Sequence, residues 1–215
     1  MTIDFDSLAR ASTGMHVAQG AGLFLLGAAE AYAHDNPRSR LAALGPLALL
    51  AAALAVPLVM LAVAAGWNFD LFRAVLDARR GFYLFIALAC LFGSAGLSRL
   101  TQLSVKNGGG AWQGAFLAFL AGAGALYFLM AWRVNEEAWR QVLAWHAAIG
   151  ATLLLAAAAK AASVFSGRRA LHLAWCALLM AAAIQLLSYR ESPGAFGVRL
   201  VTFQTAPELP PAAKK

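Results

Sequence analysis

The chain reads as an all-α integral membrane protein, a bundle of about six transmembrane helices with both termini on the same side. Two observations predict this. The sequence is 61% hydrophobic and only 13% charged over 215 residues, whereas a soluble domain is nearer ~45–50% apolar and ~25% charged. Its apolar residues also gather into six stretches of about 20, the length that crosses a ~30 Å hydrocarbon layer as a helix. Strand-like alternation is missing, which argues against a β-barrel.

The six spans are expected over residues 12–34, 41–65, 81–98, 111–132, 138–161 and 170–189. The first is the most polar, with His16, Gln19 and Glu30. The second is the most apolar, and its Pro46 and Pro57 predict a local kink or carbonyls left for a neighbour. The second, third and fourth carry little chemistry and read as scaffold. The fifth holds His146 and Lys160, and the sixth opens near His172. Most charge lies in connections such as Asp35-Asn-Pro-Arg38-Ser-Arg40, Asp77-Ala-Arg-Arg80, Arg133-Val-Asn-Glu-Glu137 and Ser166-Gly-Arg168-Arg169. Asn107-Gly-Gly-Gly110 predicts a flexible turn. Trp67, Trp112, Trp132 and Trp139 fall at span ends, as an aromatic belt would place them. Ala18/Gly22 and Ala147/Ala151 are spaced for close helix approach. Residues 1–190 form one helical domain, and residues 191–215 an extended tail lying on the surface or on a partner.

Lys and Arg number ten on the side of the termini and seven on the other, the excess coming from Arg199, Lys214 and Lys215, far from any span. The positive-inside rule then expects both termini in the cytoplasm. The start, Met1-Thr-Ile-Asp-Phe-Asp6, lacks the basic region of a signal peptide, so the first span is expected to stay in the mature protein. The expected location is a bacterial cytoplasmic (inner) membrane. The net charge of +7 fits topology and lipid headgroups rather than nucleic acid, since no basic stretch is interleaved with aromatics.

Several chemistries are argued against. Cys90 and Cys176 sit in apolar runs with no metal-ligand spacing. No phosphate-binding glycine loop appears. Ser94, in Gly-Ser-Ala-Gly, shares its level only with His34 and His172, a weak basis for a serine nucleophile. No helix carries the acidic cluster of a di-iron site or a cation transporter.

The histidines carry the functional argument. His16-Val-Ala-Gln-Gly20 opens a segment that matches His146-Ala-Ala-Ile-Gly150 at nine of sixteen positions through Ala31 and Ala161. A histidine inside a span is costly and suggests function. Gly20 and Gly150, one turn later, leave a flat space beside each imidazole. Threading the spans puts His16 level with His146 near one face, and His34 level with His172 near the other. One pair per leaflet suits a di-haem b-type cytochrome, with neutral imidazoles as axial ligands. His16 and His34 lie eighteen residues apart, ~27 Å along a helix. A single metal ion on two histidines, a carbonyl-bonded core histidine, and interfacial histidines for His34 and His172 are the alternatives. In the number and depth of its histidines the chain is similar in outline to the small haem-b anchor subunits of respiratory oxidoreductases.

The expected function is therefore a membrane-embedded electron-transfer subunit that binds one or two b haems. It would pass electrons between a quinone and a partner protein. His16 and His146 would ligate one iron, and His34 and His172 the other. Arg38, Arg40, Arg168 and Arg169 would pair with haem propionates. Glu30 and Lys160 occupy equivalent positions in the two segments and predict an ion pair; alternatively Lys160 reaches the headgroups and Glu30 takes up protons beside a quinone. Gln19, Gln113, Gln141 and Gln185 would bridge helices. Two further readings remain: a cofactor-free structural or assembly subunit of a larger membrane complex, and a small-solute transporter.

Overall fold

A computed structural model describes residues 4–36, 39–105, 110–192 and 194–197. All regular structure among them is helical. α1 is Phe5–Asp35, α2 Leu44–Val59, α3 Phe69–Ala78, α4 Tyr83–Ser104, α5 Gly110–Tyr127, α6 Glu136–Ser166 and α7 Arg169–Ser188. Six of these are long, and they close into a ring. α1 packs on α2 and α7, α2 on α4, α4 on α5, α5 on α6, and α6 on α7. Side chains such as Phe85, Phe92, Phe116, Tyr127 and Trp175 fill the interior and are fully buried.

Local chemistry starts and stops these helices. Asp4 caps α1 by accepting from the Asp6 and Ser7 backbone N–H groups, satisfying donors that have no partner inside the helix. α6 ends at Gly167, whose φ of +66° suits glycine, and α7 begins two residues later. In α2, Pro46 sits in the first turn, where its missing N–H costs nothing. Pro57 is followed by a π-helical turn at Met60–Ala64, the local adjustment expected near an interrupted hydrogen-bond ladder.

The helical segments Arg40–Ala64, Arg80–Ser104, Glu136–Ser166 and Arg169–Ser188 are long and apolar enough to cross a membrane. α1 and α5, the first and fourth expected spans, are not among them. α1 carries Arg10, His16, Gln19 and Glu30, and α5 opens on Gly110-Ala-Trp-Gln113.

Two elements depart from the sequence reading. α3 falls where only a connection was expected. Asn68 caps it through bonds of 2.9 and 3.0 Å to the Asp70 and Leu71 N–H groups. Val75 and Leu76 are buried while Asp70, Arg73 and Asp77 face outward, so it is a short amphipathic helix. α4 also continues past Ser98 to Ser104, bringing Arg99 from an expected loop into the bundle. Lys106, the Asn107–Gly109 part of the expected turn, Arg38, and the tail from residue 198 with Arg199, Lys214 and Lys215 lie outside the described residues. The described part of the tail folds back on the bundle, with Ala195 and Phe196 buried.

Candidate functional site: a buried histidine couple

α1 and α6 bring His16 and His146 together. His16 Nδ1 lies 2.7 Å from the Ser12 carbonyl oxygen, and His146 Nδ1 lies 2.7 Å from that of Val142. A carbonyl only accepts, so each Nδ1 carries the hydrogen and donates it one turn back. That fixes the tautomer and leaves a lone pair on each Nε2. The two Nε2 atoms are 3.1 Å apart. The ring centroids are 5.3 Å apart, close to that separation plus two ring radii, so the nitrogens meet nearly head-on. Two lone pairs cannot face each other in an apolar interior without something positive between them. One shared proton completes the couple as an imidazole–imidazolium hydrogen bond; a metal cation completes it as a ligand pair.

Aromatic rings wall the couple. Tyr189 lies 4.6 Å from His16 and 4.8 Å from His146 between centroids, Phe85 meets the edge of His16 at 5.4 Å, and Tyr127 stacks on His146 at 6.1 Å. Neither imidazole has any exposed surface, at 0% each. One turn beyond His16, Gln19 Oε1 accepts from the Tyr127 hydroxyl at 2.9 Å.

Arg133 closes this end. It sits in the short 3-10 turn Met130–Arg133 and lies over the faces of Phe85 and Phe196 at 5.2 and 5.5 Å. Its guanidinium pairs with Glu191 at 2.7 Å and donates to Ser12 Oγ at 3.0 Å and the Tyr189 hydroxyl at 3.3 Å. Ser12 and Tyr189 both donate to the Glu191 carboxylate. Gly81 makes room for this turn, because a Cβ there would overlap the Arg133 backbone.

The other end of α1 and α6 holds ions. Lys160 Nζ is 3.2 Å from Glu30 Oε2, the pair expected from their matching positions. Arg99 adds a two-pronged contact to Glu30 Oε1, at 2.6 Å from both Nε and Nη2. Both carboxylate oxygens are thus engaged, which argues against free proton uptake by Glu30. His172 is buried here. Its Nδ1 accepts from Lys160 at 3.1 Å and its Nε2 donates to the Glu30 carbonyl at 3.1 Å. His34 is exposed and stacks on His172 face to face, with centroids 4.5 Å apart and planes 20° apart. The structure therefore brings all four histidines into two pairs. Only His16 and His146 present nitrogen lone pairs to one another.

Gly20 and Gly150 have neighbours where the sequence suggested open space. A Cβ on Gly20 would lie 2.9 Å from Leu187 and 3.0 Å from the Ala183 carbonyl of α7. One on Gly150 would lie 2.5 Å from the Gly124 carbonyl of α5. Both glycines let helix backbones approach. Arg40 and Arg168 are exposed, and Arg169 pairs with Asp35 at 2.9 Å. These arginines lie at the ion end of α1 and α6, away from the His16–His146 couple.

A haem iron needs two imidazole nitrogens about 4 Å apart, at about 2 Å per bond, with a macrocycle between them. The donor set fits: two neutral, pre-oriented, opposed Nε2 atoms. The space does not. No accessible surface touches either ring, and Tyr189, at 4.6 and 4.8 Å from the two imidazoles, stands where the macrocycle would lie. The second pair has no such donor set, since both His172 nitrogens are committed.

No protein-family model matches the chain, no curated protein matches its sequence, and no solved structure matches its fold.

Sequence reasoning passed over Arg99, Tyr127, Arg133, Tyr189 and Glu191. Arg99 had a signal: Phe92, Ala95, Arg99 and Gln102 fall at helical spacing on one face. Arg133 had none, being one of several charges in a connection.

Proposed function

We propose that this chain is a membrane-embedded subunit that holds a redox-active centre between His16 and His146 and passes electrons within a larger membrane complex. The observation that carries this reading is the head-on approach of two Nε2 lone pairs, each fixed by its own Nδ1–H bond to a helix carbonyl. Such bonds are how proteins orient histidines that bind metals. Membrane residence rests on the four apolar helical segments; six crossings with both termini on one side are part of the same proposal, supported by the six long helices that pack in a ring. The bacterial inner membrane and a quinone as redox partner belong to the same proposal.

The test is a reduced-minus-oxidised visible spectrum with metal and haem analysis of the purified chain, beside His146→Ala. A centre that changes with reduction and is lost in His146→Ala is the expected result. No centre, in protein made with ample haem and metals and with its natural membrane partners, would overturn it. A second reading would then hold, a cofactor-free structural subunit. The absence of exposed surface on either imidazole favours that reading, with one shared proton closing the couple.

A further inference from the structure

We infer that the occupant of the His16–His146 couple is a single cuprous ion in linear two-coordinate ligation, rather than a haem iron. This rests on the reading that the couple is a cofactor site, though not on electrons passing through it.

The first argument is ligand number. No group of three or more His, Cys, Asp or Glu side chains that could hold a metal occurs among the described residues. Zinc wants four ligands, and magnesium, calcium and manganese want oxygen donors in greater number. A closed-shell monovalent copper is stable with two opposed nitrogen donors, and imidazole is a suitable ligand for copper. The second is direction. The head-on rings place both lone pairs on one line, which is the geometry of two trans ligands. The third is room. An ion between the nitrogens needs no slot for a macrocycle, only a small separation of the two rings within the walls of Tyr189, Phe85 and Tyr127.

The fourth argument is charge. Burying an ion in an apolar site costs steeply with its charge. Two neutral imidazoles leave a cuprous centre at one positive charge. The neighbouring Arg133 is already balanced by Glu191 at 2.7 Å. Bonds of about 2 Å put the nitrogens about 4 Å apart, so the couple must open by roughly 1 Å. α1 and α6 each pack on α7 rather than mainly on one another, and a small shift of one against the other provides this.

The test uses the full chain in detergent, loaded anaerobically with cuprous ion against a competing chelator. Copper X-ray absorption is then recorded on the washed protein. The expected result is one copper per chain with the signature of a two-coordinate cuprous centre bound by nitrogen alone. His146→Ala should weaken retention by more than about 100-fold, beyond the loss usual when a group that only orients a ligand is removed. His34→Ala should leave it unchanged. Haem lost in His146→Ala would overturn the inference and leave the proposed function standing. Copper retained in His146→Ala, or a copper shell of three or more donors, would also overturn it. Neither copper nor haem at the couple would overturn both. If His146→Ala fails to fold, the wild-type absorption spectrum decides alone.

Discussion

His16 meets His146 at one end of the α1–α6 pair, and Glu30 meets Lys160 at the other. Both contacts join residues 130 positions apart, so the two helices keep one register over fourteen residues, about 21 Å of helix. The chemistry at the two ends differs in kind. At the ion end every group is answered: the Glu30 carboxylate takes Arg99 and Lys160, and Lys160 and the Glu30 carbonyl take both nitrogens of His172. At the histidine end two like imidazoles face each other through Nε2, and without a shared proton or an ion neither can complete the other. A closed cluster fixes how helices sit. An open one asks for a proton or an ion from outside. The contacts of the ion end hold the register in which the two Nε2 atoms meet.

The ion end gives the largest expected effect. Glu30→Gln leaves Arg99 and Lys160 buried together without their counter-charge. Breaking a buried ion cluster in this way costs about 3–5 kcal/mol, a fall in Tm of about 10 °C for a chain of this size. Lys160→Met should cost clearly less, because Arg99 still balances Glu30. Thermal unfolding in detergent reads both. Equal losses, or a silent Glu30→Gln, would mean that the ion end does not set the register.

The next effect is smaller and tests whether the histidine end depends on close helix packing. Gly150→Ala places a Cβ 2.5 Å from the Gly124 carbonyl and 2.8 Å from the Phe128 ring. Overpacking of this kind costs about 1–3 kcal/mol. It also moves α6, which carries His146, so any centre bound at the couple should be held more weakly. Gly114→Ala is the control: nothing lies within 4 Å of its added Cβ, and alanine favours the helix. A Gly150→Ala variant as stable as Gly114→Ala would show that α5 and α6 have slack here.

How far the sequence foretold this follows from which interactions are local. The all-helical architecture, the four segments apolar enough to cross a membrane, the pairing of the histidines by depth and the Glu30–Lys160 contact could all be read, because each follows from counting along a helix. α3 was missed although Asn68 and the spacing of Phe69, Phe72 and Leu76 mark a capped amphipathic helix. It is 10 residues long, well below the length of a membrane span. The uses of Gly20 and Gly150 could not be read, because a glycine one turn after a histidine looks the same whether it faces a cofactor or a neighbouring backbone. Arg133 and Glu191 are joined only by tertiary folding. No local pattern ties a charge in a connection to one in the tail.

The smallest expected effect lies just inside the histidine end. The Tyr127 hydroxyl donates to Gln19 Oε1 at 2.9 Å, and Gln19 Nε2 has no partner among the described residues. Tyr127→Phe therefore strips the buried amide of its one hydrogen bond while keeping the ring that stacks on His146. The loss should be about 1 kcal/mol. Adding Gln19→Leu should recover most of it, because removing both polar partners is far less costly than orphaning one. The coupling is read from the double-mutant cycle. Content of any centre bound at the couple should be unchanged in Tyr127→Phe, since the lone pairs of His16 and His146 are untouched. If content falls with stability unchanged, the Tyr127 hydroxyl belongs to the working site, and the open end of the α1–α6 pair reaches one turn deeper than the two histidines.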